Sequence, residues 1–338
     1  MFYSSSEDLR YAYSVGEIKV RENKLLFPHD LERLLSTVNP EEISAILTEA
    51  GYQTSSGAEE MLLNTERFLS FNLGALYKTA KNLSYHPEII DSFIIRYDFR
   101  NFGVLLRKKL LPKNFNGKGI SESEVLVNLG LYGAAVLEDS FKKKNYELYP
   151  DKAAEIFLKV EKETSGGSLN RISRVLDREY FRLAEEISSP NDFCRYIFRM
   201  FVDFANLDSC LRLKKLPKDI SVFEECFIEG GKISGADFAA FFNGSLDLAR
   251  LLSRYSYQKI FSGSGGEDES PDLLEKKIDD FLMDVLRETK FSFIGLESVI
   301  AYLLVKELEI KNIRLILQGK NAGLAREELA PHLRMTYV

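Results

Sequence analysis

The sequence has no tryptophan, three histidines and three cysteines among its 338 residues. His29, His86 and His332 are scattered without metal-ligand spacing, so no metal site is expected. Cys194, Cys210 and Cys226 are odd in number and form no CxxC pair. That argues against a disulfide scaffold and for buried thiols in a reducing compartment. Long apolar runs are missing too. The nearest, Phe291 to Val305, is interrupted by Glu297 and falls short of the roughly 20 residues a membrane helix requires. Met1 to Arg10 places Ser4, Ser5, Ser6, Glu7 and Asp8 where a signal peptide needs an apolar run. The chain is expected not to span a membrane, although it can sit on one through a partner. Positive charge is not concentrated either: the formal net charge is −6, and nucleic acid needs clustered Lys and Arg. Gly263-Ser264-Gly265-Gly266 lacks the Lys-Ser/Thr ending of a phosphate loop and follows no strand, so no nucleotide site is expected. Adjacent acids such as Glu185-Glu186 and Asp279-Asp280 point in different directions on a helix and read as solvated faces. The sequence thus offers no catalytic residues, no cofactor site and no metal site.

What is present is a core-forming composition, 45% apolar and 28% charged, long enough for two or three domain-sized units. Almost every segment reads as helix and none as a period-2 strand, which makes the fold class all-α. Tyr11 to Leu26 is periodic. Asn39-Pro40-Glu41-Glu42 opens a helix that Gly51 closes. One long helix is expected from about Ala58 to Ser84, and Pro87 starts the next. In the middle third, Asn116-Gly117-Lys118-Gly119 forms a turn. Ile120 to Tyr132 and Ala134 to Lys143 read as short helices, and Asp151 to Thr164 and Asn170 to Ile187 as longer ones broken at Gly166-Gly167. Ser189-Pro190-Asn191-Asp192 caps a further helix. Leu273 to Thr289 and Leu296 to Gly319 complete the set.

The helices carry an internal repeat. Asn101, Asn206 and Asn312 lie 105 and 106 residues apart, each with an acid three places earlier: Asp98, Asp203 and Glu309. An apolar pair and a basic residue follow each. After each motif comes a short-helix pattern of apolar anchors: Ile120, Val125 and Leu129; Ile233, Phe238 and Phe242; Leu324, Leu329 and Leu333. Leu26, Leu31 and Leu35 repeat the same intervals near the N-terminus. The boundaries this implies are 1–116, 117–229 and 230–338, three similar helical bundles in a cyclic arrangement that brings the first and last copies close. Each repeated Asn is expected to hydrogen-bond backbone where helices cross, because buried polar groups need partners. Before any family is considered, an all-α enzyme and an unrelated helical scaffold or adaptor remain open. The enzyme would need polar groups converging from different helices, and none is repeated or concentrated.

Tyr11-Ala12-Tyr13 with Val15 and Arg21, Gly51-Tyr52, Leu176-Asp177-Arg178-Glu179-Tyr180-Phe181, the two Asp/Asn repeats and Glu309-Ile310-Lys311-Asn312-Ile313-Arg314 occur in order from end to end. Together they resemble the C subunit of V-type and A-type ATPases, equivalent to the d subunit of the eukaryotic vacuolar enzyme. Two positions depart from the repeat: Asn72 stands where the second copy has Asp177, and Gln318 where the others have Arg107 and Arg212. The resemblance implies three bundles around a pseudo-threefold axis, forming a funnel. It implies a non-catalytic central-stalk spacer, one copy per complex, that passes torque between the central shaft (the D and F subunits) and the membrane proteolipid ring in ion transport. It would lie on the cytoplasmic side of the membrane, held there through the rotor ring. Arg107 and Arg212 are the basic candidates for the rotor interface. Leu126 and Phe238, in the short apolar segments, are the apolar ones.

Overall fold

Helix starts in this chain are written in local chemistry. Pro40 occupies the first turn of the Pro40–Glu49 helix, and Asn39 before it accepts a hydrogen bond from Glu41 N. Asn191 caps the Asp192–Lys214 helix by accepting from Cys194 N. Such caps satisfy amides that have no partner within the helix. The computed structural model describes residues 8–54, 57–110, 126–164, 169–216, 219–261, 270–291 and 294–338, and every regular element among them is helical. The all-α reading holds, and no strand occurs among the described residues. The turn at Asn116 to Gly119, the anchors Ile120 and Val125, the Gly166-Gly167 break and the glycine-rich stretch Gly263 to Gly266 lie outside them.

The chain forms two compact units. One is continuous, Glu88–Gly235. Its helices include Ala134–Lys143, Asp151–Thr164, Leu169–Ser188, Asp192–Lys214 and Ile220–Cys226. Phenylalanine and tyrosine fill its core in the absence of tryptophan. Phe102 stacks on Phe157 at 4.5 Å between ring centroids, Phe93 lies 4.6 Å from Phe198, and Phe99 lies 5.1 Å from Phe157. Rings at these separations add to the stabilisation that burial alone gives.

The other unit joins Met1–Pro87 to Ala236–Val338. Its axis is Leu296–Asn321, which packs on Thr65–Asn82 and on Ala12–Glu22. Val299, Ile300, Leu303, Leu304, Leu308, Ile313, Ile316 and Leu317 are all buried along this helix, each contributing about 1.5–3 kcal/mol. Polar ties add to this packing: Tyr77 OH on Thr65–Asn82 donates to Glu307 Oε1 at 2.5 Å, and Lys320 Nζ donates to Leu35 O on Pro28–Ser36 at 2.9 Å.

Two expected helices differ. Ala58 to Ser84 is two helices, Ala58–Leu63 and Thr65–Asn82, broken at Asn64, whose backbone (φ −114, ψ 44) leaves the helical region. Residues 126–132 of the expected Ile120 to Tyr132 helix are not helical. Their amides and carbonyls are engaged by side chains of another helix, as the motif geometry shows.

Candidate functional site

The motif helices are Pro87–Leu110, Asp192–Lys214 and Leu296–Asn321. Each carries its Asn and the acid one turn earlier, so both side chains leave the same face. All six side chains are buried.

Each Asn grips one residue of a following segment by both of its backbone groups. Val127 N donates to Asn101 Oδ1 at 2.9 Å, and Asn101 Nδ2 donates to Val127 O at 2.8 Å and to Leu129 O at 3.3 Å. Ile228 N donates to Asn206 Oδ1 at 2.9 Å while Asn206 Nδ2 donates to Ile228 O at 2.7 Å. Arg334 N donates to Asn312 Oδ1 at 2.8 Å while Asn312 Nδ2 donates to Arg334 O at 3.0 Å. A side-chain amide carries one acceptor and two donors, so it can satisfy both backbone groups of one residue at once.

The acids hold the next amides along. Asp98 Oδ2 accepts from Leu131 N at 2.7 Å, and its Oδ1 accepts from Tyr149 OH at 3.2 Å. Asp203 accepts from Lys232 N at 3.0 Å and Ile233 N at 2.9 Å. Glycine makes this approach possible, since a Cβ at Gly130 or Gly231 would collide with the carboxylate of Asp98 or Asp203. Gly130 also has a φ of +130, which favours glycine. These bonds hold residues 126–132 out of a helix.

The third acid reaches elsewhere. Glu309 Oε2 accepts from Leu26 N at 2.6 Å, and Oε1 accepts from Tyr52 OH at 2.5 Å and pairs with Lys306. Leu26 is thus the counterpart of Ile233, and the copy near the N-terminus completes the C-terminal motif. No glycine precedes Leu26 in that segment, and the acid there is the longer Glu309.

These bonds also correct the short-helix register. The helices that follow the gripped segments begin at Ala134, Gly235 and Pro28. Their fourth residues, Leu137, Phe238 and Leu31, are buried. Leu137, not Val125, is the counterpart of Phe238.

The three acids differ in electrostatic setting. Lys306 lies 3.8 Å above the Tyr52 ring beside Glu309, and Lys232 lies 3.8 Å above the Tyr196 ring near Asp203. Burial lowers both ammonium pKa values, and the neighbouring carboxylate opposes the shift. Burial raises the Tyr52 hydroxyl well above its usual range, and Glu309 adds to the rise. Asp98 forms no ion pair among the described residues. Burial pushes its carboxyl up to about 7, outweighing the bonds from Leu131 and Tyr149. A carboxyl raised on folding stabilises the fold below its unfolded pKa of ~3.9, and that stabilisation is lost as pH rises through 7. Between about pH 4 and 7, Asp98→Asn should therefore flatten the fall in stability with rising pH, by up to ~1.4 kcal/mol per pH unit. Denaturation midpoints at several pH values check this, and identical pH profiles for variant and wild type would refute it.

The candidate interface residues differ in their local settings. Arg107 Nη1 donates to Ser173 Oγ at 2.9 Å, while Arg212 pairs with Asp208 on its own helix at 2.9 Å and is 66% exposed at its side chain. Leu126 is half-buried. Phe238 is 0% exposed, a correction to its reading as a surface contact: the inward face of a short helix takes it into the core. At Asn72 the side chain accepts from Gln53 N at 2.8 Å and donates to Gln53 O at 3.2 Å. Asp177, at the matching place, forms no such bond and lines a cleft. Sequence reasoning missed this cleft, although the spacing of Arg96, Arg100 and Arg107 on one helix face was a usable signal. Among the described residues no group of three metal-ligating side chains occurs, and no helix is long and apolar enough to cross a membrane.

Comparison with known proteins adds the context. The family of the ATP synthase (C/AC39) subunit matches residues 14–331. The chain is 27% identical to the C subunit of the A-type ATP synthase of Methanosarcina acetivorans, over 93% of this chain and 90% of that protein. It is 28% identical to the C subunit of the A-type ATP synthase of Methanosarcina mazei, over 96% and 92%. To the C subunit of the V-type sodium ATPase of Enterococcus hirae it is 24% identical, over 95% and 97%.

Proposed function

The chain belongs to the ATP synthase (C/AC39) subunit family, and from that premise we propose that it is the non-catalytic central-stalk subunit of a rotary A/V-type ATPase. In this reading it works among other subunits of the complex, as a spacer between the central shaft (the D and F subunits) and the membrane proteolipid ring. It lies on the cytoplasmic side and passes torque between them. The observation that carries the reading is the family match along almost the whole chain. The recurring Asn and acid bonds on three motif helices support three bundles, 1–116, 117–229 and 230–338, set around a pseudo-threefold axis as a funnel. A spacer that carries torque needs connections that do not yield, and paired side-chain-to-backbone bonds in a dry interior are of that kind. Arg107, Arg212 and Leu126 remain the proposed rotor contacts.

Co-purification of the full chain with its cognate D and F subunits and the proteolipid ring tests the proposal. Replacing Arg107 and Arg212 together by Glu should reduce recovery of the complex at least tenfold while shifting the melting temperature by no more than a few degrees. Unchanged recovery would remove these arginines from the interface. The chain should also show no ATP binding by calorimetry at micromolar concentration. Binding there would favour an enzyme over a spacer.

A further inference from the structure

Three apolar side chains stand in solvent at one end of the discontinuous unit. Val38 is 86% exposed, Leu63 82% and Leu324 45%. All three are tied to the end of Leu296–Asn321. Lys320 Nζ donates to Thr37 O at 2.5 Å, Asn321 Nδ2 donates to Leu62 O at 2.7 Å, and Leu324 N donates to Gly319 O at 2.9 Å. Val38 and Leu63 thus each follow a carbonyl held by one of two adjacent positions on the same helix. Pro40–Glu49 also packs on Ala58–Leu63, and the two ties set the start of the first beside the end of the second.

Carboxylates edge this group. Glu41 and Glu42 open Pro40–Glu49, Glu59 and Glu60 open Ala58–Leu63, and Glu327 and Glu328 lie in Arg326–Leu329; all six are exposed. Glu42 accepts from the Thr37 hydroxyl and Glu328 from the Ala325 amide. Glu41, Glu59, Glu60 and Glu327 form no ion pair among the described residues. The bases nearby are spent: Lys320 on the carbonyls of Leu35 and Thr37, Arg314 on Glu66 at 2.7 Å, and Arg326 on Glu32 at 2.5 Å. Arg67, four residues after Leu63, carries no such pair among the described residues, so one open guanidinium stands against four open carboxylates. The helix dipole accounts for acids in a first turn. It does not account for three exposed apolar side chains between them.

We infer that this end of the unit docks a basic amphipathic helix of another subunit, its apolar face on Val38, Leu63 and Leu324 and its lysines or arginines against the glutamates. The inference rests on the multisubunit reading above and names the chemistry of one partner. Apolar side chains grouped inside a polar rim mark an interaction surface, and charge chooses what covers it. An anionic bilayer surface would be repelled by the open carboxylates, as would nucleic acid. A second copy docking through the same patch would set acidic rim on acidic rim, because a two-fold contact is self-complementary. A helix with one apolar stripe fits a surface of a few side chains. Its basic flanks supply the missing counter-charges and steer its approach.

The test uses the full chain and a fluorescent helical peptide with a leucine stripe flanked by lysines. Binding should weaken as salt is added. Val38→Ser with Leu63→Ser should weaken it about tenfold or more. The melting temperature should stay within a few degrees, because both side chains are exposed. Glu59→Lys with Glu60→Lys should weaken binding by a similar factor, and Glu147→Lys, an exposed site in the continuous unit, should leave it unchanged. Equal capture of a peptide with glutamates in place of the lysines would overturn the inference, as would capture that the serine pair does not weaken. Self-association of the chain that the serine pair abolishes would give the patch to a second copy and overturn it too. So would binding to phosphatidylserine vesicles that the same pair abolishes. Co-purification with the cognate subunits separates this inference from the stalk reading. The serine pair should lower recovery of the complex at least tenfold. Lost peptide capture with full recovery would sink the docking helix and leave the stalk reading standing. Peptide capture by a wild-type chain that fails to assemble would sink the stalk reading and leave the surface.

Discussion

Replacing Glu309 by Leu should destabilise the discontinuous unit by about 3–5 kcal/mol, the range for breaking one side of a buried ion pair. The loss has three parts. Lys306, 8% exposed, is left with a buried ammonium and no counter-charge. Tyr52 loses the acceptor 2.5 Å from its hydroxyl, and Leu26 N loses the acceptor 2.6 Å away. Changing both members of the pair, Glu309→Leu with Lys306→Met, should recover much of the loss, because a well-packed apolar pair can match a buried salt bridge. Denaturant unfolding together with hydrogen exchange at the Leu26 amide reads both outcomes. A single-variant loss below about 1 kcal/mol would mean that water reaches the site and that the carboxylate is not what holds the segment.

Asn206→Leu should cost about 2–5 kcal/mol. The substitution keeps the approximate size but removes the partners of Ile228 N and Ile228 O together, each worth roughly 1–3 kcal/mol when left unsatisfied in the interior. Asn312→Leu should cost less. Arg334, which it grips, is half-buried whereas Ile228 is 6% exposed, so water can replace the lost bonds at Arg334. Equilibrium unfolding of the two variants gives the order. Equal or reversed losses would show that helix packing, and not the backbone grip, sets the value of these asparagines.

Helix starts were the most legible part of the sequence. Asn39-Pro40, Asn191 and the Ala134 and Asp151 starts are local signals, and local chemistry decides them. The motif was legible as repetition, and a buried Asn bonding backbone follows from hydrogen-bonding rules alone. The partners were not legible, because they lie 22 to 28 residues further on for the asparagines. For the same reason residues 126–132 read as helix: Leu126 and Leu129 fit a helical period. The reach of Asp98 and Asn101 from a distant helix holds that stretch in an irregular, non-helical course. Phe238 was misplaced because an apolar residue on a short helix looks the same whether it faces a core or a partner. The arginine-lined cleft needed the pairing of two helices whose contact no periodicity reveals.

The bond between Leu26 and Glu309 joins residues 283 positions apart, and this orders events on the ribosome. At about 5–20 residues per second, the Leu26 segment waits roughly 15–60 s for its partner to be made. Glu88–Gly235 is continuous and has all its contacts available as soon as it emerges. It can fold while the first 87 residues still await the C-terminal half of their own unit. The discontinuous unit closes last, and its early half is the stretch that a chaperone has longest to find. A ribosome stalled shortly before Glu309 would expose a chain with one finished unit and one open one, separable by limited proteolysis.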